Sequence, residues 1–354
     1  MNTQQLLEKL IRFRTITADV DENNRCTDFI SAWLKKRKPG IHTRIYRIGK
    51  RKALYACTRR TKTPDLLIVC HTDVVAAETA QFTPIQKDGR MYARGASDCK
   101  VNAAIAMQLL TASGSTKSTG VLFSSDEETG GETTARIAAD GVCGKITLVI
   151  DTGACSIVTK QKGILSLRLI GHGRACHSST PWKGRNAIRE VWKAFERVEK
   201  LFTLSRGFGD WKNTIAPTII SGGDVANRVP DTAELVVNIR YTERTDPEKL
   251  LARIRKKAAP VTVETEAAHP SFITPRTDPG ILGFKKKLET SMGQKIPFDH
   301  LHGATDARHF SGKKAKVVIS GVPGGGAHSK DEYVELSGMK KMEAALLAYL
   351  REPR

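Results

Sequence analysis

Histidine and carboxylate side chains recur just past the ends of apolar runs in this 354-residue chain. The run Leu66–Cys70 leads directly into His71-Thr72-Asp73. In an extended segment residues i and i+2 share a face, so His71 and Asp73 project together. An imidazole held by a neighbouring carboxylate is how metal-binding histidines are usually oriented, although a lone pair of this kind fits a structural role equally well. Asp98 precedes a helix start in ARGASDCK, and the apolar run Gly120–Phe123 delivers Ser125-Asp126-Glu127-Glu128-Thr129-Gly130-Gly131. Three successive carboxylates repel one another, and a nearby cation relieves that repulsion. The run ending at Ile150 delivers Asp151, and the glycine-rich stretch Gly321–Ala327 delivers His328. Two histidines with several carboxylates suit a pair of borderline divalent metals, zinc foremost. The Gly324–Gly326 run serves either as a flexible turn or to let backbone approach a substrate closely.

Such residues need a scaffold that brings strand ends to one edge, where open parallel sheets form their ligand sites. The pattern supplies one. Leu6, Leu7, Leu10 and Ile11 mark an opening helix, and Phe29, Ile30, Trp33 and Leu34 a second. The wholly apolar run Leu66–Cys70 reads as a strand buried on both faces. A helix near Asn102–Leu110, a strand at Gly120–Phe123, a helix after Glu132 and a strand at Ile146–Ile150 follow. This alternation predicts an α/β fold, a mainly parallel sheet with helices on both faces. From about Gly163 the order becomes strand Ile164–Ile170, helix Ala187–Leu201, strands Thr214–Ser221 and Glu234–Tyr241, helix Pro247–Lys257 and strand Val261–Glu264. That βαββαβ order fits a four-stranded, ferredoxin-like sheet with two helices on one face. The α/β pattern resumes near Pro279, with strand Lys316–Ser320 and a last helix near Leu336–Leu350. The expected organisation is one domain, 1–162 with 275–354, interrupted by a second, 163–274.

Composition narrows the function classes. Lys and Arg outnumber Asp and Glu, 57 to 37, for a net charge of +20. The basic clusters at Lys35–Lys38, Lys50–Lys52, Lys285–Lys287, 313–314 and 340–341 are short and dispersed, without aromatic interleaving. They read as solvated surface rather than a nucleic-acid groove, with attraction of anionic substrates a secondary consequence. No apolar run approaches the roughly 18 residues of a membrane span, and the first residues lack a cationic start, apolar core and cleavage site. The seven cysteines are scattered and never spaced C-x-x-C, so reduced thiols in a soluble, cytoplasmic protein are expected. Gly171-His-Gly173-Arg-Ala-Cys176 fails the dinucleotide fingerprint, and no phosphate-loop or nucleophile-elbow motif occurs.

The segments HTDVV, RGASDCK, SSDEETGG, HSSTPWKGRNAI, NRVPDTAELVVNIRY, HGATDARHF and GGGAHSKDEYVEL resemble, in order, the motifs of the dinuclear zinc amidohydrolases. That family includes acetylornithine deacetylase, succinyl-diaminopimelate desuccinylase, aminoacylase, glutamate carboxypeptidase and related di- and tripeptidases. The resemblance runs from about residue 66 onward. It implies a zinc-binding domain interrupted by a lid domain that forms a homodimer, and two Zn²⁺ per chain, with Co²⁺ or Mn²⁺ as substitutes. Carried over residue by residue, it makes His71, Asp98 and Asp151 ligands of one zinc. His328, Asp98 and Glu128 would hold the other, with Asp98 shared. Glu127 becomes the general base and Asp73 the orienting partner of His71. His177 would reach across the dimer to the oxyanion. Asn227 and Arg308 would bind a substrate carboxylate, with the Gly325 backbone beside them; Arg308 can equally pair with Asp306 on a structural turn.

Two departures stand out. The family usually places glycine where this chain has Val101, so an altered turn is expected there. Many deacylases of the family have Glu-Pro-Thr where this chain has Asp151-Thr152-Gly153, and aspartate leans toward peptidases acting on free amino termini. The resemblance therefore implies a hydrolase of an amide bond beside an amino-acid carboxylate. An N-acyl-amino-acid deacylase leads, and a dipeptidase or carboxypeptidase follows. A degenerate hydrolase that binds partners through its basic surface is the third reading. The substrate would be a small anionic amino acid or peptide, with neither nucleic acid nor membrane as partner.

Overall fold

The computed structural model describes residues 1–352 except 204, 206, 208, 313 and 314, so the basic pair at 313–314 lies outside the described residues. The chain forms two compact units. One comprises 1–160, 273–300 and 305–354; the other comprises 161–272 and 301–304.

The first unit is built on a nine-stranded sheet. At its centre Leu66–His71 pairs in parallel with Thr119–Ser124 on one side and Ile146–Ile150 on the other, and Lys316–Ser320 continues the parallel set. Every residue of the first three strands is buried, which is why they read as unbroken apolar runs rather than alternating ones. The helix Val101–Thr111 is apolar on all sides and lies within the same core as these strands. An antiparallel hairpin, His42–Ile48 with Arg51–Cys57, extends the sheet edge. Sequence reading missed it because only Tyr46 of the outer strand is buried, leaving no hydrophobic alternation to detect.

The second unit has a four-stranded antiparallel sheet in the spatial order Thr214–Gly222, Thr232–Tyr241, Gly163–His172, Thr262–His269. Alternate residues of the two central strands are buried. They share a core with helices Ala187–Glu199 and Pro247–Ala258, as the βαββαβ reading requires.

One buried carboxylate organises the loop leading to Asp98. Glu332, 1% exposed, accepts the backbone N–H groups of Gly95, Ser97 and Asp98 at 3.0, 2.9 and 3.0 Å. It also pairs with Arg94 Nη1 at 2.6 Å, while Arg94 Nη2 donates to Ser329 O, next to His328, at 3.1 Å. A buried charge is tolerated only when partnered this fully, and here the partners join two loops far apart in sequence. The left-handed residue of this turn is Gly95 (φ 81°), where an added Cβ would lie 2.9 Å from Lys100 Cδ. Val101, by contrast, opens the helix with ordinary dihedrals (φ −56°, ψ −40°), so its side chain strains nothing there.

Replacing Glu332 by Ala leaves Arg94 buried and unpaired, and three N–H groups lose their acceptor. The expected cost is about 3–5 kcal/mol of stability in denaturant unfolding, with a smaller loss for Glu332→Gln. A change below about 1 kcal/mol, the range of exposed ion pairs, contradicts the organising role.

Candidate metal centre

Parallel pairing places His71 opposite Ser124, so the carboxyl ends of neighbouring strands deliver their polar residues to one edge. His71 is 2% exposed. Its Nε2 lies 2.9 Å from Asp98 Oδ1 and 3.3 Å from Asp151 Oδ1. Its Nδ1 lies 3.0 Å from the Asp73 carbonyl and 3.4 Å from that residue's carboxylate. The carbonyl thus makes the shorter contact, and it fixes the ring with Nε2 toward the acids. The Asp73 carboxylate instead accepts from Thr17 Oγ1 at 2.9 Å and from the backbone of Glu127 and Glu128 at 3.2 and 3.3 Å. One residue therefore orients the imidazole and pins the acidic turn.

On the other side of Asp98, Oδ2 lies 3.2 Å from His328 Nε2, which is also 3.1 Å from Glu128 Oε2. His328 adopts a left-handed backbone (φ 65°), the kind of strained position that clusters at functional sites. The two oxygens of Asp98 thus face two imidazoles, each with a second carboxylate alongside. Of the three acids in the Asp126–Glu128 run, Asp126 turns away. It accepts from the Thr133 backbone and hydroxyl and so serves the N-terminal turn of helix Glu132–Ala139.

Electrostatics define what this cluster needs. Burial pushes the Glu128 carboxyl up to about 7 and raises Asp151. Glu127 is raised well above its ordinary value by burial and by the charges of Asp151 and Asp306. Against its own burial, Asp98 is held well below the usual range by its hydrogen bonds with His328 and His71. With Nδ1–H donated to a carbonyl, Nε2 of His71 faces two carboxylates, an arrangement that calls for an electropositive centre between them, a proton or a metal cation. Donor atoms around one tetrahedral zinc lie roughly 3.3 Å apart, given bonds of about 2.0–2.1 Å, close to the spacings here. Nitrogen and carboxylate donors in this number fit zinc or a similar divalent ion. Cys99 Sγ also lies within 4.8 Å of donor atoms of His71 and Asp151. Burial raises its thiol to about 11, and it contacts the His71 and Ile150 carbonyls at 3.4 Å, so it packs as a neutral donor. None of the seven cysteines is in a disulfide.

Other predicted residues fall elsewhere. His177 and Asn227 belong to the second unit and are brought together. Cys176–His177 pairs with Arg228–Val229, and Ser178 N donates to Asn227 O at 2.8 Å. His177 is exposed and its Nδ1 accepts the Ser179 N–H at 3.2 Å, which leaves Nε2 to carry the proton of the neutral ring. Gly325 pairs with Tyr333 on a short ribbon of the first unit. Arg308 is 4% exposed, with Nη1 3.5 Å from Glu127 Oε1 and Nη2 3.9 Å from Asp306 Oδ1. His309 has Nε2 3.6 Å from Asp306 Oδ1. Sequence reading gave no role to Thr17, Arg94 or Glu332, and named Asp306 only as a structural-turn partner of Arg308. Arg94 and Glu332 lie inside the quoted motifs, and that was their only signal.

Metal removal has a signed pH dependence. A carboxyl whose folded pKa exceeds its unfolded value contributes stability that is complete below the unfolded value, about 4 for these groups. That contribution is lost as pH rises through the folded value, about 7 for Glu128. His71, held high against burial by Cys99 and its carboxylates, and His328, held high by Asp98, act in the same direction. A bound divalent cation cancels the repulsion. Chelation should therefore lower the melting temperature more at about pH 8 than at about pH 5.5; an equal or smaller drop at the higher pH contradicts this electrostatic account.

Comparison with known proteins converges on one family. Residues 67–352 match the model of Peptidase family M20/M25/M40. The succinyl-diaminopimelate desuccinylase of Cupriavidus pinatubonensis is 27% identical over 366 residues, covering 94% of each chain. That of Helicobacter pylori is 25% identical over 385 residues, covering 99% of this chain and 98% of the relative. Among solved structures, an M20 family metallo-carboxypeptidase from Sulfolobus solfataricus superposes with a TM-score of 0.82 at 16% identity, covering 99% of both chains. A tripeptidase from Staphylococcus aureus gives 0.80 at 18% identity, covering 99% of this chain and 97% of the other. With a mainly parallel sheet whose strand ends carry a histidine–carboxylate cluster, this chain belongs to Peptidase family M20/M25/M40 and is a hydrolase of the metallopeptidase class.

Proposed function

We propose that the protein hydrolyses an amide bond beside an amino-acid carboxylate, most directly as an N-acyl-amino-acid deacylase. The observation that carries this reading is Glu127, held on the turn that Asp73 pins, with its carboxyl subject to the charges of Asp151 and His71. His71, Asp98 and Asp151 would hold one zinc ion and His328, Asp98 and Glu128 a second, with Co²⁺ or Mn²⁺ as substitutes. When bound, such ions supply Lewis acidity, lowering the pKa of water toward about 7 and polarising a carbonyl. Glu127 takes a proton from the attacking water as the new C–O bond forms, and delivers it to the leaving nitrogen as the C–N bond breaks. Burial raises its proton affinity, the direction a proton shuttle requires.

His177 donates from Nε2 to the developing oxyanion across a homodimer, and Asn227 and the Gly325 backbone receive the substrate. Ile219 and Ile220, 63% and 50% exposed on an edge strand of the second unit, support a dimer. An apolar strand edge of that kind is seldom left open to water. The second unit would act as lid and dimerisation domain. A cytoplasmic setting is supported by seven cysteines, none in a disulfide; no helix among the described residues is long and apolar enough to cross a membrane.

The deacylase reading draws on relatives named desuccinylase that align along nearly the whole chain. Asp151, in place of the glutamate common in deacylases, favours the second reading, a dipeptidase or carboxypeptidase. A mass-spectrometric screen on zinc-loaded protein separates them, setting N-succinyl- and N-acetyl-amino acids against dipeptides with free amino termini. Cleavage of the acylated set alone is expected, with Glu127→Gln slower by about 10²–10⁴-fold. Cleavage of dipeptides alone replaces the deacylase reading with the peptidase one. Salt-dependent nucleic-acid binding without any hydrolysis would instead favour a catalytically degenerate binding protein.

A further inference from the structure

The central sheet has a second polar end. The strand Thr119–Ser124 finishes at the metal centre, where Ser124 lies opposite His71, and Lys117 stands just before its start. At about 3.3 Å per residue the strand keeps its two ends about 17 Å apart. At the far end lies a pocket of about 380 Å³. Its walls are the end of the helix Val20–Arg37, the turn after Arg51–Cys57 and the loop after the helix Val101–Thr111. Four of the lining residues are cations, Arg37, Lys38, Arg59 and Lys117, and none is a carboxylate. Lys38 and Lys117 are partly engaged, with Nζ on the Leu110 and Tyr349 carbonyls. Arg59 Nη2 donates to Thr116 O at 3.2 Å, which occupies one of the five N–H groups of a guanidinium. The Arg37 guanidinium has no hydrogen bond or ion pair among the described residues. The carboxylates that act on Lys117 are held elsewhere, Glu352 by Lys287 at 2.6 Å and Asp65 by Lys145 at 2.8 Å. An independent observation points to a ligand. Ser115 also lines this pocket, and its Oγ is buried without a hydrogen-bond partner among the described residues. A buried hydroxyl left in that state is costly, and an oxyanion beside it would accept its hydrogen bond.

Guanidinium forks, ammonium groups and hydroxyls with no competing acid complement a tetrahedral oxyanion, since a planar fork can take two of its oxygens at once. Burial holds the Lys38 ammonium below its ordinary value, an effect that an anion alongside reverses. The volume lies at the small end of ligand pockets, which span about 300–1,000 Å³, so the site fits a small molecule rather than a polymer. We propose that this pocket binds the phosphate group of a small molecule, free phosphate or a phosphate ester. Arg37 and Arg59 are its principal donors, and Ser115 completes the set. The assignment is independent of the hydrolytic reading, because the pocket shares no residue with the metal centre.

Isothermal titration calorimetry of the full, zinc-loaded chain tests this, with inorganic phosphate and glycerol phosphate as probes and chloride at matched ionic strength as the control for screening. Phosphate also ligates zinc, so each titration is repeated after chelation. Saturable phosphate binding that survives chelation is expected. The double variant Arg37→Ala/Arg59→Ala should weaken it by about tenfold or more, and Ser115→Ala by about three- to tenfold. Lys256→Ala/Lys257→Ala removes the same charge from the exposed end of a helix in the second unit and should change the affinity by less than about twofold. Glycerol phosphate binding at least as tightly as inorganic phosphate identifies the ligand as an ester, and binding of inorganic phosphate alone identifies it as the free ion. Binding that vanishes on chelation belongs to the metal centre and overturns the inference. Equal weakening in the Lys256/Lys257 control makes it general surface charge and overturns it too. Absence of saturable binding by either probe up to about 10 mM has the same consequence, and none of these three results touches the hydrolase reading.

Discussion

Asp98, Asp151, Glu127 and Glu128 crowd around two imidazoles at the carboxyl ends of parallel strands, and much of the first unit follows from the need to hold them there. Like charges at this range raise one another's pKa and disfavour the compact state. The fold resists this with contacts that leave each acid little freedom. Asp73 ties down the turn of Glu127 and Glu128, Glu332 captures three N–H groups of the loop delivering Asp98, and Arg94 joins that loop to the one bearing His328. A site held rigidly against its own repulsion is preorganised for a divalent cation, since little reorganisation remains when the charge arrives.

The basic surface has a partly structural origin. Lys38 Nζ lies 3.0 Å from Leu110 O and Lys117 Nζ 2.9 Å from Tyr349 O, each at the C-terminal end of a helix. Arg197 donates to the carbonyls of Lys257, Ala258 and Ala259, at the end of another. Carbonyls at helix C-termini have no partner within the helix and carry partial negative charge, so cations there satisfy both needs. Part of the net charge of +20 is thus accounted for by capping, without invoking a polyanionic partner.

What was legible in the sequence was whatever repeats at short range. Unbroken apolar runs identified the buried parallel strands, and the βαββαβ order identified the second sheet. Polar residues just after strand ends marked His71, Asp98, Glu127, Glu128, Asp151 and His328, which the fold gathers at one edge. Long-range pairings were not legible. Nothing local ties Glu332 to Arg94, 238 residues away, or Asp306 to Ser124, 182 residues away. The His42–Cys57 hairpin was missed because its outer strand buries one side chain. Asp126 looked like a third site acid because sequence order cannot show that its carboxylate turns back to Thr133.

The central claim is that Asp98 is shared between two cation sites, one with His71 and Asp151 and the other with His328 and Glu128. Native mass spectrometry of zinc-titrated protein tests this most directly, with Asp98→Ala and Asp151→Ala as comparisons. The account predicts two zinc ions per wild-type chain, loss of both at matched zinc in Asp98→Ala, and retention of one in Asp151→Ala. A single zinc in wild type, or two retained in Asp98→Ala, would contradict it.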